Sequence, residues 1–136
     1  LSDIGWMEDP DYRALHAFTR VLRFPIAGIS HQDRAFLALA VFVRYNGGRR
    51  QYEVNQVRPL LDEADQLKAE ILGYTLRLAH VLSGGVAGLL PRTELRLSNT
   101  HVTLRLSPHE DLFISEAVER LFRSLAKLLD REPEIV

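Results

Sequence analysis

Apolar residues recur every three or four positions through the first two-thirds of the chain, which is the spacing of helices that bury one face. In the first such segment these positions are Leu15, Phe18, Val21 and Leu22. The segment opens at Pro10 and ends at Phe24, because a residue that precedes a proline avoids the helical region. The pattern therefore predicts a first helix between these two residues.

A second helix is predicted to follow Ser30. Ser30 and Asp33 have the spacing of a capping box, in which each side chain bonds the backbone N–H of the other residue. Residues 35–43 are apolar without interruption, so we expect this helix to lie in the core. Gly47 and Gly48 are expected to end it, since glycine adopts the left-handed conformation that closes many helices.

The third helix is predicted to be the longest, beginning near Asn55 or Pro59 and ending at residues 83–85, which are Ser-Gly-Gly. Its apolar positions form one stripe at steps of three and four. They are Leu60, Ala64, Leu67, Ile71, Tyr74, Leu78 and Val81. The stripe is too short for a coiled coil, so burial in the core is its predicted role.

The period of the pattern changes from 3.6 to 2 after Pro91. Leucine and valine alternate with polar residues in segments 94–97 and 102–106, as in strands that bury one face. A turn at residues 99–100 would join the two strands in a hairpin. It aligns Leu97 with Val102 and Leu95 with Leu104.

A last helix and a last strand complete the predicted elements. The helix is expected to begin at Ser107, with Pro108 in its first turn and Glu110 completing a capping box. Its apolar face comprises Val118, Leu121, Phe122, Leu125 and Leu128. Residues 134–136 could then add a third strand to the hairpin.

These elements predict one α+β domain of 136 residues. A mostly helical portion, residues 1–90, is followed by a small antiparallel β-β-α-β unit, residues 91–136.

The chain opens on Leu1 without an initiator methionine, and we expect it to be a piece of a longer protein. The absence of cysteine excludes disulfide frameworks and thiol nucleophiles and fits a cytoplasmic location. The longest apolar run is far shorter than the ~20 residues that span a bilayer.

The net charge of −1 hides an uneven distribution. Residues 1–11 carry four acids and no base, whereas residues 12–58 carry eight arginines against Asp33 and Glu53. A basic stretch of this kind indicates a surface that meets an anion, and the arginine fork suits phosphate or carboxylate. The alternative is that the arginines are solvated positions scattered over several helices, and composition leaves both interpretations open.

Residues suited to catalysis or metal binding form no recognisable cluster in the sequence. The five histidines share no short ligand spacing. They are His16, His31, His80, His101 and His109. No glycine-rich loop opens a helix as phosphate loops do, and no serine lies in a nucleophile elbow. We therefore predict no catalytic residue in this chain.

The opening run, Leu-Ser-Asp-Ile-Gly-Trp at residues 1–6, resembles the Leu-His-Asp-Ile-Gly motif of HD-type phosphohydrolases, whose adjacent His and Asp ligate a metal. Ser2 stands in the place of the histidine, and a serine hydroxyl does not replace imidazole as a ligand for a divalent metal. Asp3 is the only remnant of the motif. We therefore predict no metal site, which disfavours an independent HD metal phosphohydrolase.

The whole chain resembles the C-terminal helical domain of the exopolyphosphatase and guanosine pentaphosphate phosphohydrolase family. The resemblance rests on the order of several short segments. These are residues 1–6, 9–13, 35–40, 44–45, 76–79 and 89–93. Asn46 and His80 depart from the HD pattern, which has histidine and aspartate there, so no catalytic residue or metal ligand is carried over.

The resemblance implies a role in handling phosphate chains. In this family the N-terminal half binds the phosphate chain with magnesium and hydrolyses its terminal phosphoanhydride. The C-terminal domain has an HD-like fold and walls the polyphosphate passage, often at a dimer interface. We accordingly expect as partners inorganic polyphosphate or another polyanion, the catalytic domains of the same protein and a second copy, with no membrane and no specific nucleic acid. Magnesium is expected in those catalytic domains and no cofactor in this chain.

Five arginines are the candidate polyanion-binding residues. They are Arg13, Arg44, Arg49, Arg50 and Arg77. Several weak contacts between guanidinium groups and phosphate oxygens would sum along a polyphosphate chain. The remaining alternative is a degenerate HD module that serves only as a structural or protein-interaction domain.

Overall fold

The structure is a computed structural model that describes residues 1, 3–47, 51–84, 88, 90–106 and 114–136. The chain forms two compact units, Leu1–Leu76 and Arg77–Val136. The described residues form five α-helices and one three-stranded sheet, which confirms the predicted α+β class with mostly helical content. In this part of the chain no helix combines the length and the apolar character needed to cross a membrane.

The core of the first unit is built on α1 (Arg13–Arg23) and α2 (His31–Arg44). The rings of Phe18 and Phe42 meet edge to face with their centroids 5.8 Å apart, a favourable arrangement for two aromatic side chains. Every residue of the apolar run 35–43 is buried or half-buried, as predicted. The predicted end of α1 is also confirmed, because its last helical residue precedes Phe24 and Pro25.

A capping box begins α2, as the sequence predicts. The Oγ atom of Ser30 accepts the backbone N–H of Asp33 at 3.0 Å, and the Asp33 carboxylate accepts the N–H of Ser30 at 2.9 Å. The Asp33 carboxylate also accepts the Ser30 hydroxyl at 2.7 Å. These bonds satisfy backbone donors that a helix N-terminus otherwise leaves unpaired.

The end of α2 differs from the prediction of a glycine stop. Asn46 takes the left-handed conformation, with a φ of 62°, because asparagine tolerates this region better than other residues with a side chain. The N–H of Asn46 donates to Val43 and the N–H of Gly47 donates to Phe42, which together form a Schellman motif. Gly47 thus follows the turn, and Gly48 lies outside the described residues.

The predicted third helix is two helices in the structure. They are α3 (Tyr52–Val57) and α4 (Glu63–Ser83), and a 3-10 turn at Arg58–Leu60 lies between them. Pro59 lacks the N–H that a continuous helix needs, and Leu61 is extended with φ −112° and ψ 142°. The chain therefore cannot run as one helix through this region.

The N-terminal half of α4 does not bury the side chains that the predicted stripe assigns to the core. The N-terminal part of the predicted stripe is wrong, because Leu60 and Leu67 are 51% and 43% exposed and Ala64 is also exposed. Ala69 and Gly73 are buried instead. Leu60 precedes the break and so lies outside α4, whereas Leu78, later in the same helix, is buried as predicted.

The second unit contains β1 (Thr93–Leu97), β2 (His101–Leu106), α5 (Glu116–Leu128) and β3 (Glu132–Ile135). The strands β1 and β2 are antiparallel and have the predicted register. The predicted pairs are Leu97 with Val102 and Leu95 with Leu104. However, β3 is parallel to β2, so the sheet is mixed and the predicted wholly antiparallel unit is wrong. The helix α5 is a crossover that returns the chain to the sheet in the same direction.

The core of the second unit is formed by side chains of β2 and α5. They are Val102, Leu104, Val118, Leu121, Phe122, Leu125 and Ala126. Ser115 caps α5, because its Oγ accepts the N–H of Val118 at 3.3 Å. The predicted cap at Ser107, with Pro108 and Glu110, lies outside the described residues.

Both outer strands of the sheet have features of edge strands. Pro133 lies within β3, where a missing N–H is tolerated because β3 is an outer strand of the sheet that the described residues form. In β1, Leu95 and Leu97 are 42% and 62% exposed although their partners on β2 are buried. The third strand predicted at residues 134–136 is thus confirmed, but it begins at Glu132.

Candidate functional site

The opening segment, residues 3–9, is fastened to α1 and α2 by polar side chains. Gly5 is buried, and its N–H donates to the hydroxyl oxygen of Tyr45 at 3.1 Å. Arg13 donates from Nε and Nη2 to the carbonyl oxygen of Glu8 at 3.1 and 2.9 Å. These bonds hold the motif that resembles the HD signature in a fixed position against the two helices.

Glu8 forms the electrostatic centre of this segment. The Nδ1 atom of His16 lies 3.1 Å from its Oε2 atom, and Arg20 forms an ion pair with its Oε1 atom. The hydrogen bond with His16 lowers the pKa of Glu8, and the charge of Arg20 lowers it further, against the opposing effect of desolvation. Arg20 also donates to the carbonyl of Ile4 at 3.1 Å, so it joins the carboxylate to the backbone of the motif.

Asp3, which lies in the opening run that resembles the HD motif, contacts a guanidinium group. The Nη2 atom of Arg44 lies 3.4 Å from Oδ1 of Asp3, and the Arg44 guanidinium carbon lies 4.8 Å from the ring centroid of Tyr45. The Arg44 side chain is only 6% exposed, whereas that of Asp3 is 72% exposed. A buried cation needs such partners, because removing it from water is costly. Arg44 therefore helps to hold the opening segment on α2.

The five arginines predicted to bind a polyanion fall in three places. Arg13 and Arg44 both contact the opening segment in the first unit. Arg77 belongs to the second unit, where it is the first residue. Arg49 and Arg50 lie outside the described residues. The structure thus brings together two of the five, and the polyanion-binding role of the set stays a prediction.

The sequence pattern did not predict that Arg13 and Arg44 hold the opening segment in place. For Arg44 the helical spacing was a signal of this role. Arg44 lies four residues after Ala40 and three after Val41, which are both in the core, and so it faces the same side of α2. No comparable signal exists for Arg13, because its partner is a backbone carbonyl. Backbone acceptors leave no trace in the pattern of side chains.

No group of three or more His, Asp or Glu that could hold a metal ion occurs in the part of the chain that the structure describes. Of the histidines in that part, His16 is engaged with Glu8, and His80 is exposed near the end of α4. The expectation of no metal and no catalytic residue in this chain stays a prediction.

Two large apolar side chains of the opening segment project into solvent. Trp6 is 66% exposed and Met7 is 83% exposed, although the backbone that carries them is fastened by the bonds described above. Nearby, Tyr12 is 60% exposed and stacks on His16 with ring centroids 6.1 Å apart. Exposed aromatic and methionine side chains on an ordered segment are typical of surfaces that bind another protein.

Comparison with known families gives a match over the whole chain. The family model described as exopolyphosphatase, C-terminal, matches residues 1–136. No curated protein matches the chain. The family match spans both compact units, so the opening segment and the mixed sheet are parts of the same family domain.

Proposed function

The chain belongs to the exopolyphosphatase C-terminal family, and on this premise we propose that it is the non-catalytic C-terminal domain of an exopolyphosphatase-like phosphatase. The parent enzyme hydrolyses the terminal phosphate of inorganic polyphosphate or of guanosine pentaphosphate. In this proposal the domain helps to bind the phosphate chain and to hold two copies together in the cytoplasm. The family match over all 136 residues is the observation that carries the proposal.

The charge distribution supports contact with a phosphate chain. Residues 12–58 hold eight arginines against two acids, although Arg13 and Arg44 already serve the opening segment. Arg49 and Arg50 are adjacent in sequence and follow the end of α2, so they are the pair we propose for the strongest phosphate contact. Arginine forks bind phosphate oxygens in pairs, and successive phosphates present charges at short intervals.

Calorimetric titration of the chain with long-chain polyphosphate tests this role. Binding should be weak and should fall steeply as salt rises, because contacts made by charge release counterions. Replacing Arg49 and Arg50 together by alanine should lower the affinity at low salt by roughly fivefold. The double variant Arg96→Ala with Arg120→Ala removes the same charge elsewhere and serves as the control. Equal affinities of the two variants would contradict the proposed contact.

A second candidate function is that of a protein-interaction module, which the exposed Trp6 and Met7 favour. Trp6 is the only tryptophan of the chain, so its emission reports directly on this surface. Sedimentation over a range of concentrations should show a dimer, and Trp6→Ala should weaken it because buried tryptophans dominate many interfaces. A monomer at all concentrations, with unshifted Trp6 emission, would argue against self-association through this surface.

In this proposal the catalytic domains of the parent carry out the hydrolysis. Magnesium bound there would stabilise the negative charge of the phosphoryl group during its transfer. The chain alone should release no phosphate from polyphosphate and should retain well under one equivalent of metal after dialysis. The contact between Asp3 and Arg44 supports this expectation, since the carboxylate at the motif position already has a guanidinium as its partner. Phosphate release that a chelator abolishes, or metal lost in Asp3→Ala, would instead favour the HD hydrolase.

A further inference from the structure

A groove of about 710 Å³ lies in the second unit, between the hairpin turn, the C-terminal half of α5 and the start of β3. Its cationic lining residues are Arg123, Lys127 and Arg131. Asn99 and Thr100 of the hairpin turn add polar side chains to the lining. From this arrangement we infer that the groove binds an oligophosphate through several neighbouring phosphate groups.

The three cations come from the last turns of α5 and from the turn that follows it. Arg123 and Lys127 are four residues apart and therefore neighbours on one face of α5. Arg131 follows the end of the helix four residues later. Several cations around one groove suit a ligand that carries charges at short intervals, as a phosphate chain does.

Two of the three cations are already held in position. Arg131 donates from Nε to the carbonyl of Ser98 at 3.1 Å and from Nη1 to the carbonyl of Asp130 at 2.7 Å. Arg123 donates from Nη2 to Glu119 at 2.8 Å. The Lys127 ammonium group has no hydrogen bond or ion pair with any residue that the structure describes. A fixed guanidinium loses less entropy on binding an anion than a freely moving one.

The rest of the lining narrows the class of ligand. None of the described residues around the groove is aromatic, so a nucleobase would find no side chain to stack on. An inorganic phosphate chain needs only charge and hydrogen-bond donors, which Asn99 and Thr100 can add. Asp130 and Glu132 also line the groove, and their repulsion should keep the affinity modest.

The helix dipole explains part of the positive charge near the end of α5. Cations are favoured in the last turn of a helix by its dipole, which accounts for Lys127. The dipole does not account for Arg131, which lies beyond the helix and is bonded to the hairpin turn through Ser98. The groove therefore combines residues from three elements, which a helix end alone does not require.

This inference goes beyond the proposed function, because the groove contains none of the five arginines assigned to polyanion binding from the sequence. It rests on the proposed function only in its choice of a phosphate chain as the ligand. Tripolyphosphate is the probe, and orthophosphate at the same phosphate concentration separates chain recognition from binding of a single ion. Titration of the ¹⁵N-labelled chain followed by NMR locates the binding site by residue.

Tripolyphosphate should shift the amide resonances of Asn99, Thr100 and Lys127, and orthophosphate should shift them less. Replacing Arg123 and Lys127 together by glutamine should weaken binding about tenfold. The variant Arg96→Gln with Arg120→Gln removes the same charge from positions outside the groove and should change the affinity by less than about twofold. Both pairs include exposed side chains, and melting curves of each variant verify folding.

The outcomes separate this inference from the proposed function. Equal weakening in both double variants would mean that binding follows net charge alone, and the groove would be rejected. Shifts confined to other residues would also reject it, while leaving polyphosphate binding intact. If tripolyphosphate shifts the groove residues but long-chain polyphosphate does not bind, the groove stands and the proposed function fails.

Discussion

The backbone N–H of Gly5 donates to the hydroxyl oxygen of Tyr45 at 3.1 Å, although the two residues are 40 positions apart. This bond joins the opening segment to the end of α2. A Cβ at Gly5 would lie 3.0 Å from the Cβ of Ala17 and 3.2 Å from both Arg13 and Tyr45. The absence of a side chain at Gly5 thus lets the segment approach closely enough for the Tyr45 bond to form.

Replacing Tyr45 by phenylalanine should weaken the attachment of the opening segment. The change removes one partly buried hydrogen bond and leaves the Gly5 N–H without its acceptor, which we expect to cost about 1 kcal/mol. Urea unfolding measures the loss. Tyr12→Phe is the matched control, because Tyr12 is 60% exposed and its hydroxyl has no bond to a described residue. A loss of the same size in both variants would show that the Gly5 bond contributes nothing specific.

Replacing Gly73 by alanine should destabilise the first unit. A Cβ at this position would lie 2.6 Å from both the carbonyl oxygen of Ala40 and the Cβ of Val43, so α4 or α2 must shift. Overpacking of this kind costs about 1–3 kcal/mol, partly offset by the higher helix propensity of alanine. Thermal unfolding should show a lower Tm. Leu67→Ala on the exposed side of α4 should change stability by less than about 0.5 kcal/mol, and an equal effect there would contradict the close approach at Gly73.

Local signals in the sequence predicted much of the fold. Ser30 and Asp33 cap α2 as their spacing indicates, and the hairpin register follows from alternation, since a slip of one residue would turn Val102 away from the core. The direction of β3 did not follow from the same signals. A strand has the same period in either direction, and only the position of α5 between strands makes it parallel.

The arrangement of the opening segment was much less predictable. Its bonds join Arg13 to a backbone carbonyl and Tyr45 to a backbone N–H, and neither partner is visible in a pattern of side chains. The break before α4 was hidden for a related reason. Leu60 and Leu67 keep helical spacing although α4 begins only at Glu63, so periodicity alone could not show that Leu60 lies outside this helix.

Stability should depend on the ionisation of Glu8 in the acidic range. Its pKa is lowered below the ordinary value of 4.5 by the hydrogen bond with His16 and by the charge of Arg20. The folded state therefore favours the ionised carboxylate, and this stabilisation is complete above about pH 4.5 and is lost as pH falls through the lower, folded-state pKa.

The variant Glu8→Gln should accordingly have a lower Tm than the parent chain at pH 7. The difference should shrink as pH falls below 4.5, because the parent then loses the same charge. Glu53→Gln is the control, since Glu53 is exposed and has no ion pair with a described residue. A Tm difference for Glu8→Gln that stays constant down to the acid limit would mean that the side chain acts through packing and not through charge.

Asp130 combines a backbone role with a place in the lining of the groove between the hairpin turn, α5 and β3. It follows α5 in the left-handed conformation, with a φ of 54°, and its N–H donates to Lys127 while the N–H of Arg131 donates to Ala126. This is the same Schellman arrangement that Asn46 forms after α2. The carboxylate itself makes no hydrogen bond with a described residue, so its two effects can be separated by substitution.

Replacing Asp130 by glycine should raise stability by about 0.5–1 kcal/mol, because glycine adopts a positive φ without steric cost. Replacing it by asparagine should leave stability nearly unchanged, since asparagine tolerates the same conformation. Both variants remove one negative charge from the groove and should therefore bind tripolyphosphate about two- to fivefold more tightly at low salt. Urea unfolding measures the first effect and NMR titration the second. Tighter binding in Asp130→Gly alone would assign the gain to the backbone, and unchanged affinity in both variants would place the bound phosphate away from Asp130.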